Sequence, residues 1–189
     1  MNLPNKLTVA RCFLAGVFVA LMSIEHLATY FIAYLVFIAA SITDYYDGKI
    51  ARDNNLVTNF GKLIDPVADK LLMAAGFVML MTIDVLRIPG WAIILILARE
   101  YMVTGARSLA ASEGNIIAAN KWGKRKTVFQ MIYVFTFLFM AMVLQAAAQF
   151  EAVALVLPGG VDGFSAAIGW ASLAGITLVA LYTVYSGIR

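Results

Sequence analysis

Hydrophobic positions in this chain do not alternate with polar ones; they run in long blocks separated by short polar stretches. Six such blocks can be drawn, at residues 7–24, 30–50, 63–83, 88–111, 127–149 and 164–187. At about 1.5 Å of rise per helical residue, each is long enough to cross an apolar layer about 30 Å thick. Membrane barrels are built from short segments of alternating polarity, and nothing here follows that pattern. In lipid a helix satisfies its backbone groups within one segment, so the pattern predicts an all-α integral membrane protein, a six-transmembrane-helix bundle. The stretch "LPGGVDG" at 157–163 reads as a loop, because Pro and Gly punctuate there. No repeat, low-complexity tract or linker divides the chain, so residues 1–189 are read as a single membrane domain.

Composition agrees. With 62% hydrophobic and 13% charged residues, an ordinary soluble domain is excluded. The opening "MNLPNKLTVARCFLAGVFVALMS" has the basic lead and apolar centre of a signal peptide, but no small-x-small cleavage site follows before "IEHLATY". It is read as a retained first helix. The single Cys12 has no partner for an intramolecular disulfide and no His or Cys neighbour for a zinc site, which leaves a small packed residue.

Charge placement orients the bundle. Six spans put the termini and the segments near 51–62 and 112–126 on one side. That side carries Lys6, Arg52, Lys62, Lys121, Lys124, Arg125, Lys126 and Arg189. The opposite segments carry Arg87 with Glu25, His26, Asp84, Glu151 and Asp162. By the positive-inside rule both termini are cytoplasmic. The net charge of +3 is thus a matter of topology, and no basic domain for nucleic acid is present.

The acids inside this apolar frame are the chemical signal. In "SITDYYDGKIARDNN", Asp44 and Asp47 are three apart and share a helix face that Gly48 and Ala51 continue, with Arg52 close to it. "DNN" favours a helix exit. The next helix begins near Thr58 or Asn59, and Gly61, Asp65 and Asp69 follow at four-residue spacing, with Pro66 loosening the chain between them. Two antiparallel helices joined by a short turn can aim these faces at each other. Each Asp at bilayer depth costs about 2.5–3.5 kcal/mol on insertion scales, and four together repel. Structural ion pairs with Lys49, Arg52, Lys62 and Lys70 are one answer, but they leave the glycines unexplained. Hard divalent cations such as Mg²⁺ are another: they take carboxylate oxygens and leave positions for substrate phosphates. Two ions would match four aspartates, in the two-metal clamp suited to in-line displacement at phosphorus. Gly48 and Gly61 would let a ligand come close to the backbone.

Written out, the spacing is D-x2-D-G-x2-A-R-x8-G-x3-D-x3-D, met at Asp44, Asp47, Gly48, Ala51, Arg52, Gly61, Asp65 and Asp69. With these eight positions the chain resembles the CDP-alcohol phosphotransferases, as does its six-span organisation. The resemblance implies transfer of a phosphate-linked group from a CDP-activated donor to an alcohol, with release of CMP. It makes Asp44, Asp47, Asp65 and Asp69 the site of Mg²⁺ or Mn²⁺, for which the charge match above gives two ions, with Asp69 also the general base. It makes Gly48, Ala51, Arg52 and Gly61 the lining of the CDP pocket. It also implies a homodimer in a bacterial inner (cytoplasmic) membrane, with the active site on the cytoplasmic side.

A second constellation bears on the acceptor. "ILAREYMVTGARSLAASEGN" places Arg99 and Arg107 eight apart on one side of an apolar helix, and Glu100 is available to pair with either. "NKWGKRKTVFQM" adds Lys121, Lys124, Arg125 and Lys126. Such a cluster suits a small dianion such as a phosphomonoester, which Arg grips bidentately and Lys meets as a point charge. Lys121 and Arg125 are read as membrane-surface anchors. "A-R-E" with a later arginine, "G-K-x-K-T" and the opening "LPNKLTVAR" resemble the branch of the family that joins CDP-diacylglycerol to sn-glycerol 3-phosphate. That resemblance assigns Arg99, Arg107, Lys124 and Lys126 to the acceptor's phosphate. Relatives that use inositol phosphate also need a basic pocket; serine or choline would leave Arg99 and Arg107 without a partner. From a different class, intramembrane acids also serve a divalent-cation or proton-coupled transporter, but here they cluster toward one side and not at the midplane.

Overall fold

A computed structural model describes the backbone of residues 3–53, 59–112 and 121–188; within these, the side chains of 3–4, 44–53, 59–63, 65, 66, 121, 122, 124 and 188 lie outside the description. Among the described residues all regular secondary structure is helical. Six long helices are α1 (Leu3–Met22), α2 (Leu27–Asp53), α3 (Asn59–Met81), α4 (Gly90–Ser112), α5 (Lys121–Gln149) and α7 (Gly160–Ile188). A 3₁₀ turn, Asp84–Leu86, precedes α4, and a short helix α6 (Glu151–Val156) precedes α7. Each apolar block thus coincides with one long helix to within a few residues. The described part of α2 runs to Asp53 and that of α3 begins at Asn59; the expected "DNN" exit and the cap at Thr58 or Asn59 lie outside the described residues.

One local expectation needs correction. Residues 160–163 of the expected loop are already the first turn of α7; the link from α6 is three residues, 157–159. Gly159 and Gly160, with φ of 76° and 71°, make the reversal in the left-handed region that only glycine enters freely, so the turn is tighter than a run of turn residues suggests. The stretch before it folds as α6 because "EAVALV" contains neither Gly nor Pro to prevent a helical turn. Among the described residues, three stretches are long and apolar enough to cross a bilayer: Asn5–Met22, Arg125–Gln149 and Gly160–Gly187, with Leu27–Thr43 a shorter apolar helix.

α1 packs along α2 and α3, and α5 lies between α2, α3 and α7, while α4 leans on α7 and α3. Aromatic rings fill the seams: Phe18 meets Phe37 at 5.2 Å, Phe37 meets Phe135 at 5.2 Å and Tyr133 meets Phe137 at 4.6 Å between centroids. Buried rings of this kind fix side-chain geometry beyond simple area burial. Cys12 is a free, partly buried thiol in α1.

Where α7 crosses the 3₁₀ turn, a Cβ on Gly169 would stand 2.5 Å from the backbone carbonyl oxygen of Val85. Backbone cannot swing away as a side chain can. Gly169→Ala is therefore expected to lower stability by about 1–3 kcal/mol, the usual cost of overpacking, read as an earlier thermal unfolding transition in detergent. Wild-type unfolding would mean that α7 does not press on this turn.

The polar groups collect at the two ends of the bundle. Glu25, Tyr30, Thr82, Asp84 and Gln145 line a cavity of about 340 Å³ at one end. His26 caps the start of α2 there, its Nδ1 accepting from the Ala28 amide at 3.1 Å. The chemistry of interest gathers at the other end.

Candidate active site

The site is assembled from three helices that each present short-spaced polar residues to one cavity of about 240 Å³. From α3 come Asp69 and Lys70, with Met73 a turn later; from α4 come Arg99, Glu100, Thr104 and Arg107; from α5 come Gly123, Lys126, Thr127 and Gln130. The α5 set recurs at spacings of three and four, one face of a helix. Four basic and two acidic side chains line this space, a formal surplus of two positive charges. An apolar cavity would accept a hydrocarbon; the surplus positive charge here favours an anion.

Glu100 is the hub. Its carboxylate accepts from Lys126 Nζ, lies 3.6 Å from Lys70 Nζ and 3.4 Å from Arg99 Nη1, and is 3.4 Å from Gln130 Nε2. The side chain of Glu100 is 14% exposed and that of Lys126 only 7%. Buried charges persist only when paired and hydrogen-bonded, and here one acid gathers cations from three helices. Arg99 is further tied to α7: Nη2 donates to Ser186 O at 2.9 Å and to Ser186 Oγ at 3.0 Å. Gln130 Nε2 donates to Thr183 Oγ1 at 3.2 Å.

Asp69 lies on the wall of this cavity and of a second, small one of about 40 Å³ shared with Arg11, Ser41 and Thr127. Its side chain is 44% exposed, and among the described residues its ion pair is the long 3.6 Å approach of Lys70. Arg11, on α1, is 1% exposed and brings a buried guanidinium to that same small cavity.

Of the residues expected from the sequence, Arg99, Arg107, Lys126 and Asp69 come together around one cavity. Arg99 pairs with Glu100 as its position suggested. Asp44, Asp47, Gly48, Ala51 and Arg52 lie on α2, and Gly61 and Asp65 lie on α3, but their side chains are outside the described residues, as are those of Lys121 and Lys124. Among the described residues, no three His, Cys, Asp or Glu side chains form a metal-binding group; three of the four expected ligands are not among them. α2 and α3 are in contact, as a shared carboxylate site requires. The donor set, four carboxylates with no soft ligand, fits a hard divalent cation.

The sequence reading offered Lys70 only as a counter-charge to the aspartates, and it does approach Asp69; Gln130, Ser186 and Arg11 it did not place at the site. Lys70 follows Asp69 directly and Gln130 lies one turn beyond Lys126, so both carried a positional signal. Ser186 and Arg11 carried none beyond being polar in apolar helices.

Comparison with known proteins identifies the family. Residues 1–158 match the family model described as CDP-alcohol phosphatidyltransferase. A Bacillus subtilis (strain 168) protein named CDP-diacylglycerol–glycerol-3-phosphate 3-phosphatidyltransferase is 43% identical over 149 residues, 70% of this chain and 74% of the relative. A Rickettsia typhi protein of the same name is 44% identical over 130 residues, covering 69% of this chain and 72% of the relative. A Mycobacterium tuberculosis protein named probable phosphatidylglycerophosphate synthase is 37% identical over 136 residues, with 70% and 64% covered. With the family model matching residues 1–158 and relatives 43–44% identical over most of their length, the chain belongs to the CDP-alcohol phosphatidyltransferase family.

Proposed function

We propose that the chain transfers the phosphatidyl group of CDP-diacylglycerol to sn-glycerol 3-phosphate, giving phosphatidylglycerophosphate and CMP. The observation that carries this reading is the cavity shared by Asp69 and the cluster of Lys70, Arg99, Arg107 and Lys126, whose surplus of two positive charges matches a phosphomonoester dianion. The names of the relatives point to the same pair of substrates.

In this reading the acceptor's phosphate sits among Arg99, Arg107, Lys124 and Lys126, and its 1-hydroxyl faces Asp69. Asp69 takes the hydroxyl proton as the oxygen attacks the β-phosphorus, and the bond from that phosphorus to the CMP oxygen breaks. Gly48, Ala51, Arg52 and Gly61 line the CDP pocket, where small residues admit the nucleotide. Asp44, Asp47, Asp65 and Asp69 would hold Mg²⁺ or Mn²⁺, two ions by charge balance. Bound there, the ions supply neutralisation of the diphosphate and of the charge that develops on the leaving CMP. The cations around Glu100 orient the acceptor and draw it in from solution.

The long helices α1, α2, α3, α4, α5 and α7 are proposed as six spans, with both termini and the site on the cytoplasmic side of a bacterial inner membrane. The basic residues at the site end support that orientation. The lipid's acyl chains then stay in the bilayer while its headgroup reaches the cavity. Assembly as a homodimer is part of the same proposal, read by light scattering of the purified protein.

The test is purified protein in detergent with CDP-diacylglycerol and Mg²⁺, offered a panel of alcohols while CMP is monitored. CMP release with sn-glycerol 3-phosphate, abolished by chelation, is expected. Preference for inositol phosphate, serine or choline would replace the acceptor, and ion flux in liposomes without CMP release would replace the enzyme with a transporter. Arg107 lines the cavity from the last turns of α4. Arg107→Ala is expected to raise the apparent KM for glycerol 3-phosphate about 10- to 100-fold, the worth of a hydrogen bond to a charged group. The KM for CDP-diacylglycerol should move far less; equal shifts would remove Arg107 from the acceptor site.

A further inference from the structure

We propose that the edge of α7 formed by Thr183, Ser186 and Gly187 is a positioning element for the acceptor's phosphate, acting through Arg99; this rests on the acceptor reading given above. α7 begins after residue 158, where the family match ends. It nevertheless supplies the groups that fix one of the cavity's guanidiniums. Arg99 Nη2 is taken up by Ser186 O and Oγ at 2.9 and 3.0 Å. Ser186 Oγ is itself held, donating to Thr183 O at 2.9 Å. Thr183 Oγ1 accepts from Gln130 at 3.2 Å, so the same edge fixes a second cavity residue. Ser186 and Thr183 are buried, and such bonds are not shared with bulk water.

Gly187 completes the clasp by its lack of a side chain. A Cβ there would stand 2.9 Å from Arg99 Nε and 3.2 Å from its Cγ. The arginine stem lies in the space that a methyl would take. With Nη2 held behind and the stem pressed on Gly187, the Nη1 end is turned toward Glu100 and the cavity. A long flexible side chain is thereby ordered before the ligand arrives, which spares the binding step the loss of rotamer freedom. The clasp touches neither the hydroxyl nor the phosphorus that reacts, so its contribution lies in acceptor affinity.

The experiment is a double-mutant cycle on the full-length protein. Ser186→Ala and Gly187→Ala are each expected to raise the apparent KM for glycerol 3-phosphate about threefold to thirtyfold. The KM for CDP-diacylglycerol should stay within about twofold in both. On an Arg99→Ala background, Ser186→Ala should add no further rise, because it acts through the group already removed. Equal shifts in both KM values, an unchanged KM for the acceptor, or full additivity with Arg99→Ala would each overturn the proposal. If Ser186→Ala fails to fold, Gly187→Ala decides, since the three atoms nearest its methyl all belong to the flexible Arg99 side chain. If the wild type does not turn over glycerol 3-phosphate, the acceptor reading fails. The same cycle is then measured as calorimetric binding of inorganic phosphate. Coupling between Ser186 and Arg99 there supports the α7 clasp, and its absence overturns it.

Discussion

Asp69→Asn is expected to lower turnover by at least about 10³-fold, within the range that a general base contributes and before any loss of a metal ligand is counted. The same change should leave the fold in place. The Asp69 side chain is 44% exposed and its ion pair with Lys70 is long, at 3.6 Å; such pairs are worth about 0–1 kcal/mol. Asn preserves shape and one acceptor oxygen. CMP release and thermal unfolding, measured on one preparation, separate these effects. A variant that keeps more than a tenth of the activity would remove Asp69 from the chemistry. Loss of activity together with loss of the folding transition would make its role structural. Asn at Asp44, Asp47 or Asp65 should likewise abolish turnover, an expectation that rests on the motif.

Glu100→Gln should have the largest effect on stability. The side chains it gathers are poorly hydrated: Lys70 is 13%, Arg99 11% and Lys126 7% exposed. Removing this carboxylate leaves the cations facing each other with, among the described residues, only the 3.6 Å approach of Asp69 to Lys70 as counter-charge. Breaking a buried pair from one side typically costs about 3–5 kcal/mol, because the remaining charge is stranded. The unfolding transition of Glu100→Gln should therefore fall well below that of the wild type, and Glu100→Asp should recover part of it. Inorganic phosphate should raise the transition more in Glu100→Gln than in the wild type, since an anion in the cavity replaces the missing charge. A Gln variant as stable as the wild type would mean that the cations are not held by this carboxylate.

The two constellations differ in how far spacing alone exposed them. Arg99 and Arg107, eight apart in one apolar helix, had to share a side, and both do line the cavity. Lys126 and Asp69 were placed by motif and reach the same space. Glu100 was visible as a neighbour of Arg99, but its contacts with Lys70 on α3 and Lys126 on α5 depend on how three helices meet. Ser186 is 87 residues from Arg99 in the chain, and no local pattern links them. α6 escaped because six residues beside a Pro-Gly loop are too short to show a period.

Block hydrophobicity sets the all-helical class and the extent of each long helix, because a chain with few polar side chains must satisfy its backbone locally. The intervals between aspartates set which faces of α2 and α3 are acidic, because helical rise and twist are fixed by the backbone. Which cations besides its neighbour Arg99 meet Glu100 followed only from packing: α3, α4 and α5 converge at the site, and a single carboxylate collects charges from all three. Long polar side chains reach several ångströms in any direction, so their partners are chosen by the positions of neighbouring helices and not by the order of residues.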